Sequence, residues 1–303
     1  MATIHNVVIA GATGNVGAPI LKALLDSKRF NITILTRNTS DTQLPDSVTV
    51  IRVDYSSVAD LTAALTGRDA IVSALTSHDM NAQASLLDAA VAAGVKRFIP
   101  SEFSGNWENP KAITLPVYKT LHDFHKLIQQ KARENPTMTY TAVRNGPFFD
   151  WALAHGFFLN LKGDTSRIFD GGNQPFTGTT LASVGQAVVG ILTHPEETKN
   201  RAVFIKDVET SQNRLLDIAK KIAPGREWNT EDVNTADVAA YSREQFASGN
   251  IDQHAALGFF ARAIFGEGYG GALDGRDNEL LGVKVTTDAG VEAILKEVLS
   301  GSS

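Results

Sequence analysis

Three glycines and one arginine carry the strongest chemical signal in this chain. Gly11, Gly14 and Gly17 stand three residues apart, after the β-branched run Ile4 to Ala10 and before a stretch whose apolar positions Ile20, Leu21, Leu24 and Leu25 fall at helical spacing. A dinucleotide pyrophosphate needs backbone amides at a helix N-terminus and no side chain in its path, and a strand, a glycine turn and a helix in succession supply both. Thr13, Asn15 and Val16 complete the turn, so Gly11, Thr13, Gly14, Asn15, Val16 and Gly17 form the expected phosphate cradle. About 20 residues further on, where NAD-binding chains keep an acid for the ribose hydroxyls, this one has Arg37. A guanidinium pairs with a phosphate through a bidentate fork and gains nothing from a neutral hydroxyl, so Arg37 favours NADPH over NADH; the alternative is a solvated arginine at a strand end. Asp54 and Tyr55, closing a later strand, are expected to flank the adenine, and Ala74, Leu75 and Thr76 to run beneath the cofactor. A second glycine cluster, Gly266, Gly268, Gly270 and Gly271, has no strand before it and reads as a flexible loop.

The elements that position these residues follow from apolar periodicity. Ile32 to Leu35, Val48 to Val53, Ala70 to Ala74 and Arg97 to Ile99 read as strands; Ser57 to Leu65 and Asn81 to Ala93 read as helices, the latter stopping at Gly94, a left-handed cap. A helix from Tyr118 to Glu134 and a strand from Thr139 to Val143 extend the series. Strands separated by helices need crossover connections, which predicts an α/β fold with a doubly wound parallel Rossmann sheet. Beyond Asn145 the aromatics Phe148, Phe149, Trp151, Phe157 and Phe158 crowd a segment without strand alternation, which reads as a pocket wall or as core joining two domains. A late strand, Ala202 to Ile205, lies between helices at Leu181 to Leu192 and Leu215 to Ile222 and returns to the sheet. The expected division is a dinucleotide-binding domain over 1–147 with a returning segment at about 176–208, and a smaller, mostly helical substrate domain over 148–175 and 209–303.

Composition narrows the chemistry. The 303 residues carry 28 Lys and Arg against 33 Asp and Glu, a formal charge of −5, and this argues against the basic face that nucleic acid or an anionic membrane requires. There is no cysteine, so disulfides, thiolate nucleophiles and zinc–thiolate sites are excluded. No apolar run reaches the roughly 18–20 residues of a membrane span, and no signal segment is evident, which suggests a cytoplasmic protein. No third ligand accompanies His122 and His125, so no metal site is expected. The oligomeric state is left open.

These residues together resemble the isoflavone-reductase-like branch of the NmrA-like family. The resemblance is carried by Gly11 to Gly17, Arg37, Val95-Lys96-Arg97-Phe98-Ile99-Pro100-Ser101-Glu102-Phe103 and Asn145-Gly146-Pro147-Phe148-Phe149-Asp150-Trp151. Two further stretches, Leu192 to Thr198 and Ala263 to Gly271, resemble fungal members in particular. The likeness implies an atypical short-chain reductase fold, NADPH, and reduction of a bulky, often aromatic natural product in a cleft between domains. It also implies that Phe103 and Phe148 lie near the nicotinamide, with Trp151 and Tyr269 as further substrate-facing candidates.

One position departs from that family. Its members project a lysine from the helix after the Pro-Ser-Glu-Phe segment as general acid or base, and the register set by Leu115-Pro116-Val117 and Lys131-Ala132 puts Leu121 there. At about 100° per residue Leu121, Phe124, Ile128 and Ala132 make one apolar stripe, with Lys119 and Lys126 on the opposite, solvent side. Tyr118 and His125, one turn to either side of Leu121, are the remaining candidates for proton transfer, or else ordinary boundary residues. Three functions stay open: an NADPH-dependent reductase of an aromatic secondary metabolite, a redox-neutral isomerase or cyclase on the same scaffold, and a dinucleotide-sensing regulatory protein.

Overall fold

The computed structural model describes residues 3–37, 44–76, 79–163 and 165–301. Its first half alternates strand and helix: β1 (Asn6–Ala10), α1 (Gly17–Ser27), β2 (Asn31–Arg37), β3 (Thr49–Val53), α2 (Val58–Leu65), β4 (Ala70–Ser73), α3 (Met80–Ala92), β5 (Arg97–Ile99), α4 (Lys119–Glu134) and β6 (Thr139–Arg144). The second half runs α5 (Phe149–Ala154), β7 (Thr165–Phe169), β8 (Phe176–Gly178), α6 (Leu181–Thr193), β9 (Arg201–Phe204), β10 (Val208–Thr210), α7 (Gln212–Ile222), β11 (Asn229–Val233), α8 (Thr235–Ala247), α9 (Gln253–Phe265), α10 (Asn278–Leu281) and α11 (Asp288–Ser300).

Among the described residues seven parallel strands form the main sheet in the order β3-β2-β1-β4-β5-β6-β9. The order reverses between β1 and β4, and ligands of such sheets lie beyond the strand ends at that switch point. β1 is central and its two faces feed different layers, as strand geometry dictates. Val7 and Ile9 pack with Ile20 and Leu24 of α1 and Val188 and Ile191 of α6, whereas Val8 and Ala10 pack with Leu61, Leu86, Phe124 and Ile128 of α2, α3 and α4. Each fully buried aliphatic side chain of this kind contributes about 1.5–3 kcal/mol. Side-chain caps define where helices start: Ser57 accepts from the Asp60 amide on α2, and Asp79 from the Ala82 amide on α3. Gly94 takes φ 72°, so the left-handed stop read at the end of α3 is present.

The late strand joins the sheet as β9, beside β6. A third apolar cluster gathers α5, β7, α7, α9 and α11 around Phe149, Phe158, Phe176 and Phe265, and a fourth, around Trp107, Tyr118 and Phe259, lies where the loop before α4 meets α8 and α9. The chain crosses back once more near its end, since Leu281 and Val283 pack with α1 and α6. The second lobe also holds strands that periodicity does not reveal. β8 pairs antiparallel with β10, and β11 pairs parallel with β7. β8 and β10 are three residues each, too short to show alternation, and β11 reads Asn-Thr-Glu-Asp-Val with every side chain but Val233 exposed. No helix among the described residues is long and apolar enough to cross a membrane.

Candidate active site

The cradle sits at the switch point, and its three glycines have different reasons to be glycine. Gly11 has φ 82°, and a Cβ there would come within 2.5 Å of the Ala74 carbonyl oxygen. At Gly17 a Cβ would lie 2.0 Å from the Gly11 carbonyl oxygen. Both are required by the close approach of α1 to the ends of β1 and β4. Gly14 differs: it is exposed, its φ is unstrained, and a Cβ would meet only the Gly11 oxygen, at an ordinary 3.5 Å. Nothing within the chain demands glycine at position 14, whereas a phosphate approaching the backbone does. Val16, the N-cap residue of α1, supplies no side-chain cap, which leaves amides of the first turn for a ligand. Thr13 and Asn15 are exposed beside them.

Arg37 is the last residue of β2 and is exposed. Tyr55, just past β3, donates from its hydroxyl to the Leu35 carbonyl at 3.1 Å. Burial pushes its phenol well above the usual range, and the neighbouring Arg37 charge partly opposes that shift. Asp54 is exposed, and its carboxylate accepts from the Ser56 amide at 2.8 Å and hydroxyl at 2.7 Å, bonds that hold its pKa below the ordinary value. Ala74, Leu75 and Thr76 lead out from β4, where Ser101 donates to the Leu75 carbonyl at 2.7 Å. One end of the sheet thus gathers every residue expected to touch the cofactor.

The residues after β5 and β6 build a charged cluster that the sequence reading missed. Glu102 and Arg144, both fully buried as side chains, meet at 3.4 Å, and His125 of α4 places Nδ1 2.9 Å from the same Glu102 oxygen. Trp107 closes the cluster: its ring lies 4.4 Å under the Arg144 guanidinium and edge-on to His122 and His125. An arginine ending an otherwise uncharged strand, level with a glutamate just past the neighbouring strand β5, was the available signal. His125 is therefore buried at 4% exposure against Glu102, and not on an open edge of α4.

Tyr118 occupies a different setting. It is buried, its ring stands edge-on to Phe260, and its hydroxyl makes no hydrogen bond among the described residues. Burial raises its pKa, with the Arg144 charge working against the shift, so the phenol stays protonated and able to donate. Leu121 is half-buried and packs, like Tyr269, on the cluster that contains Tyr118. Along α4 the stripe faces inward as its periodicity predicts, with Phe124, Ile128 and Ala132 buried, while Lys119 and Lys126 are exposed and Lys119 pairs with Asp123. The other aromatic candidates are dispersed. Phe103 packs toward the α1–α6 side of the sheet, Phe148 is half-buried where its backbone bridges to Thr179, and Trp151 stacks on His155 at 4.0 Å against the second lobe's core.

A glycine cradle at the switch point of a doubly wound sheet defines a dinucleotide-binding protein. Residues 11–195 match the NAD(P)H-binding family, and the chain belongs to it. Its relatives include the oxidoreductase poxI of Penicillium oxalicum, 37% identical over 79% of this chain and 76% of that one. The oxidoreductase aprR of Aspergillus flavus is 33% identical over 97% of this chain and 99% of its own length. The fold is similar to that of a leucoanthocyanidin reductase from Vitis vinifera, solved as a binary complex with NADPH, at TM-score 0.77 and 21% identity over 97% of this chain and 99% of that one. The likeness to isoflavone reductase thus holds at the level of fold, the family is the NAD(P)H-binding one, and the protein is an NAD(P)H-dependent oxidoreductase.

Proposed function

We propose that the protein is an NADPH-dependent reductase of a bulky, aromatic secondary metabolite. The observation that carries the cofactor choice is Arg37, an exposed guanidinium at the end of β2 where a carboxylate would serve NADH. The cradle amides hold the pyrophosphate and Arg37 the 2′-phosphate; when bound, the nicotinamide supplies the hydride. Residues of this chain then orient the acceptor and manage its charge. Tyr118, with an uncommitted hydroxyl, donates a hydrogen bond to the substrate oxygen on which charge develops. Leu121 contributes shape and excludes water where the family carries a lysine. His125 is held by Glu102 and packs edge-on against Trp107, which shares the apolar cluster of Tyr118, so its part is positional. Phe103, Phe148 and Tyr269 are the substrate-facing aromatics, and Trp151 supports them from the second lobe.

Titration calorimetry tests the cofactor: Arg37→Ala is expected to weaken NADPH more than tenfold, since each charge-assisted hydrogen bond is worth about 1.5–3 kcal/mol, and to leave NADH nearly unchanged. Equal loss for both rejects the assignment. Deuterium transfer from 4-labelled NADPH into a conjugated aromatic ketone tests the reaction. Leu121 supports a second reading, redox-neutral isomerisation or cyclisation, and a product formed without NADPH consumption would select it.

A further inference from the structure

The glycine-rich segment at 266–271 lies outside the cofactor site, and it is not a slack loop. Both of its ends are fixed. Gly266 closes α9 with its amide on the Arg262 carbonyl at 3.0 Å, and at the other end Gly271 accepts from the Thr177 amide at 3.0 Å while the Leu273 amide donates to Thr177 Oγ1 at 2.9 Å. Between these anchors the segment lies as a strap against the 109–111 stretch of the chain joining β5 to α4. Gly268 and Gly270 have φ 78° and 81°, and a Cβ on them would come 2.8 Å from Lys111 Nζ and 3.0 Å from Asn109 Nδ2 respectively.

Little holds the middle of the strap in place. Among the described residues its one hydrogen bond to that stretch runs from the exposed Lys111 Nζ to the Glu267 carbonyl at 3.1 Å, and the same ammonium stands 5.8 Å from the centre of the Tyr269 ring. Contacts of this kind, at the surface, open at low free energy. The strap also borders a solvent-open cavity of about 670 Å³ with Glu267 in its wall, which gives it space to swing into.

Tyr118 and Leu121, where the reductase reading puts the acceptor, are closed off by the same region. Tyr118 is 5% exposed, and its hydroxyl faces Gly105, where a Cβ would lie 4.0 Å from it. Phe260 of α9 stands edge-on to the Tyr118 ring, and Tyr269, in the middle of the strap, packs with Leu121 on the same apolar cluster. A bulky acceptor cannot reach a phenol so deeply buried while these aromatics stay in place. We propose that the 266–271 strap is the gate of the substrate site. It hinges between Gly266 and Gly271, lifts Tyr269 off the cluster, admits the acceptor to Tyr118 and Leu121, and recloses to exclude water. The inference rests on the reductase reading for what enters; the opening itself does not.

A cross-link tests the gate. A Cβ at Gly270 would lie 3.4 Å from that of Asn109, close to the roughly 3.5–4.5 Å that a disulfide spans, and the chain has no cysteine of its own to interfere. Asn109→Cys/Gly270→Cys is compared oxidised and reduced, so any strain of a side chain at Gly270 is common to both forms. Hydroxyl-radical footprinting, with reductant removed, is expected to label Tyr118 about threefold more slowly in the oxidised form, while NADPH affinity by calorimetry stays the same. NADPH oxidation with benzalacetone, a conjugated aromatic ketone, is expected to fall about tenfold on oxidation and to return on reduction. Lys111→Ala introduces no strained residue: losing its bond to Glu267 is expected to raise Tyr118 labelling severalfold at unchanged melting temperature and NADPH affinity. Equal labelling of Tyr118 in the two forms, turnover undiminished by oxidation, or labelling unmoved by Lys111→Ala overturns the gate. Labelling that follows the strap, with benzalacetone reduced by neither form, would keep the gate and overturn the reductase reading.

Discussion

Nothing in the chain crowds Gly14, whereas Gly17 is required by the chain itself. Gly14→Ala is expected to leave the melting temperature unchanged while weakening NADPH more than tenfold. Gly17→Ala, forcing a methyl against a backbone oxygen, is expected to cost about 1–3 kcal/mol of stability, read as a lower denaturant midpoint. On α4, Lys119→Ala and Lys126→Ala are expected to be nearly silent in turnover, because both side chains face solvent; a rate lost with either alone, cofactor binding intact, would make that lysine the catalytic one. The cradle was legible because everything that defines its shape lies within one strand–turn–helix unit, and Arg37 ends the strand that follows. The partnership of His125 with Glu102 was not. It joins residues 23 apart through tertiary packing, and helical spacing alone left His125 at the border of a stripe.

At the scale of elements, α6 carries an unusual start. Thr180 caps it, and two carboxylates converge there: Asp207 accepts from the Thr180 amide at 3.0 Å and hydroxyl at 2.5 Å, and Asp150 from the Leu181 amide at 3.2 Å. Burial raises both pKa values above the ordinary 3.8, against the pull of their hydrogen bonds, and the Asp207 charge raises Asp150 further. A carboxyl that holds its proton more tightly folded than unfolded adds stability below its unfolded value and loses it as pH rises through the folded one. The melting temperature of wild type minus that of Asp207→Asn is therefore expected to fall from about pH 4 upward, and a difference that grows with pH would contradict this. The long helices of the first half and the sheet strands were readable from period and caps. The pairs β7–β11 and β8–β10 were not, since their short or polar strands are specified by partners distant in sequence.

Across the whole molecule, the buried Glu102–Arg144 pair ties the ends of β5 and β6 together, and removing Glu102 leaves the buried Arg144 charge with only the half-exposed Glu108, 3.9 Å away. Glu102→Leu is expected to lower stability by about 3–5 kcal/mol in denaturant titration, and the double variant Glu102→Leu/Arg144→Met by much less, because no unpaired charge then remains buried. The position of β9 has a different consequence, for the newly made chain. β6 is complete at Arg144, but the strand that covers its free side starts only at Arg201. At roughly 5–20 residues per second, a ribosome takes several seconds over that interval. Throughout it a growing chain that had already paired β1 to β6 would present an open sheet edge to its neighbours, so synthesis itself contains a window for mispairing.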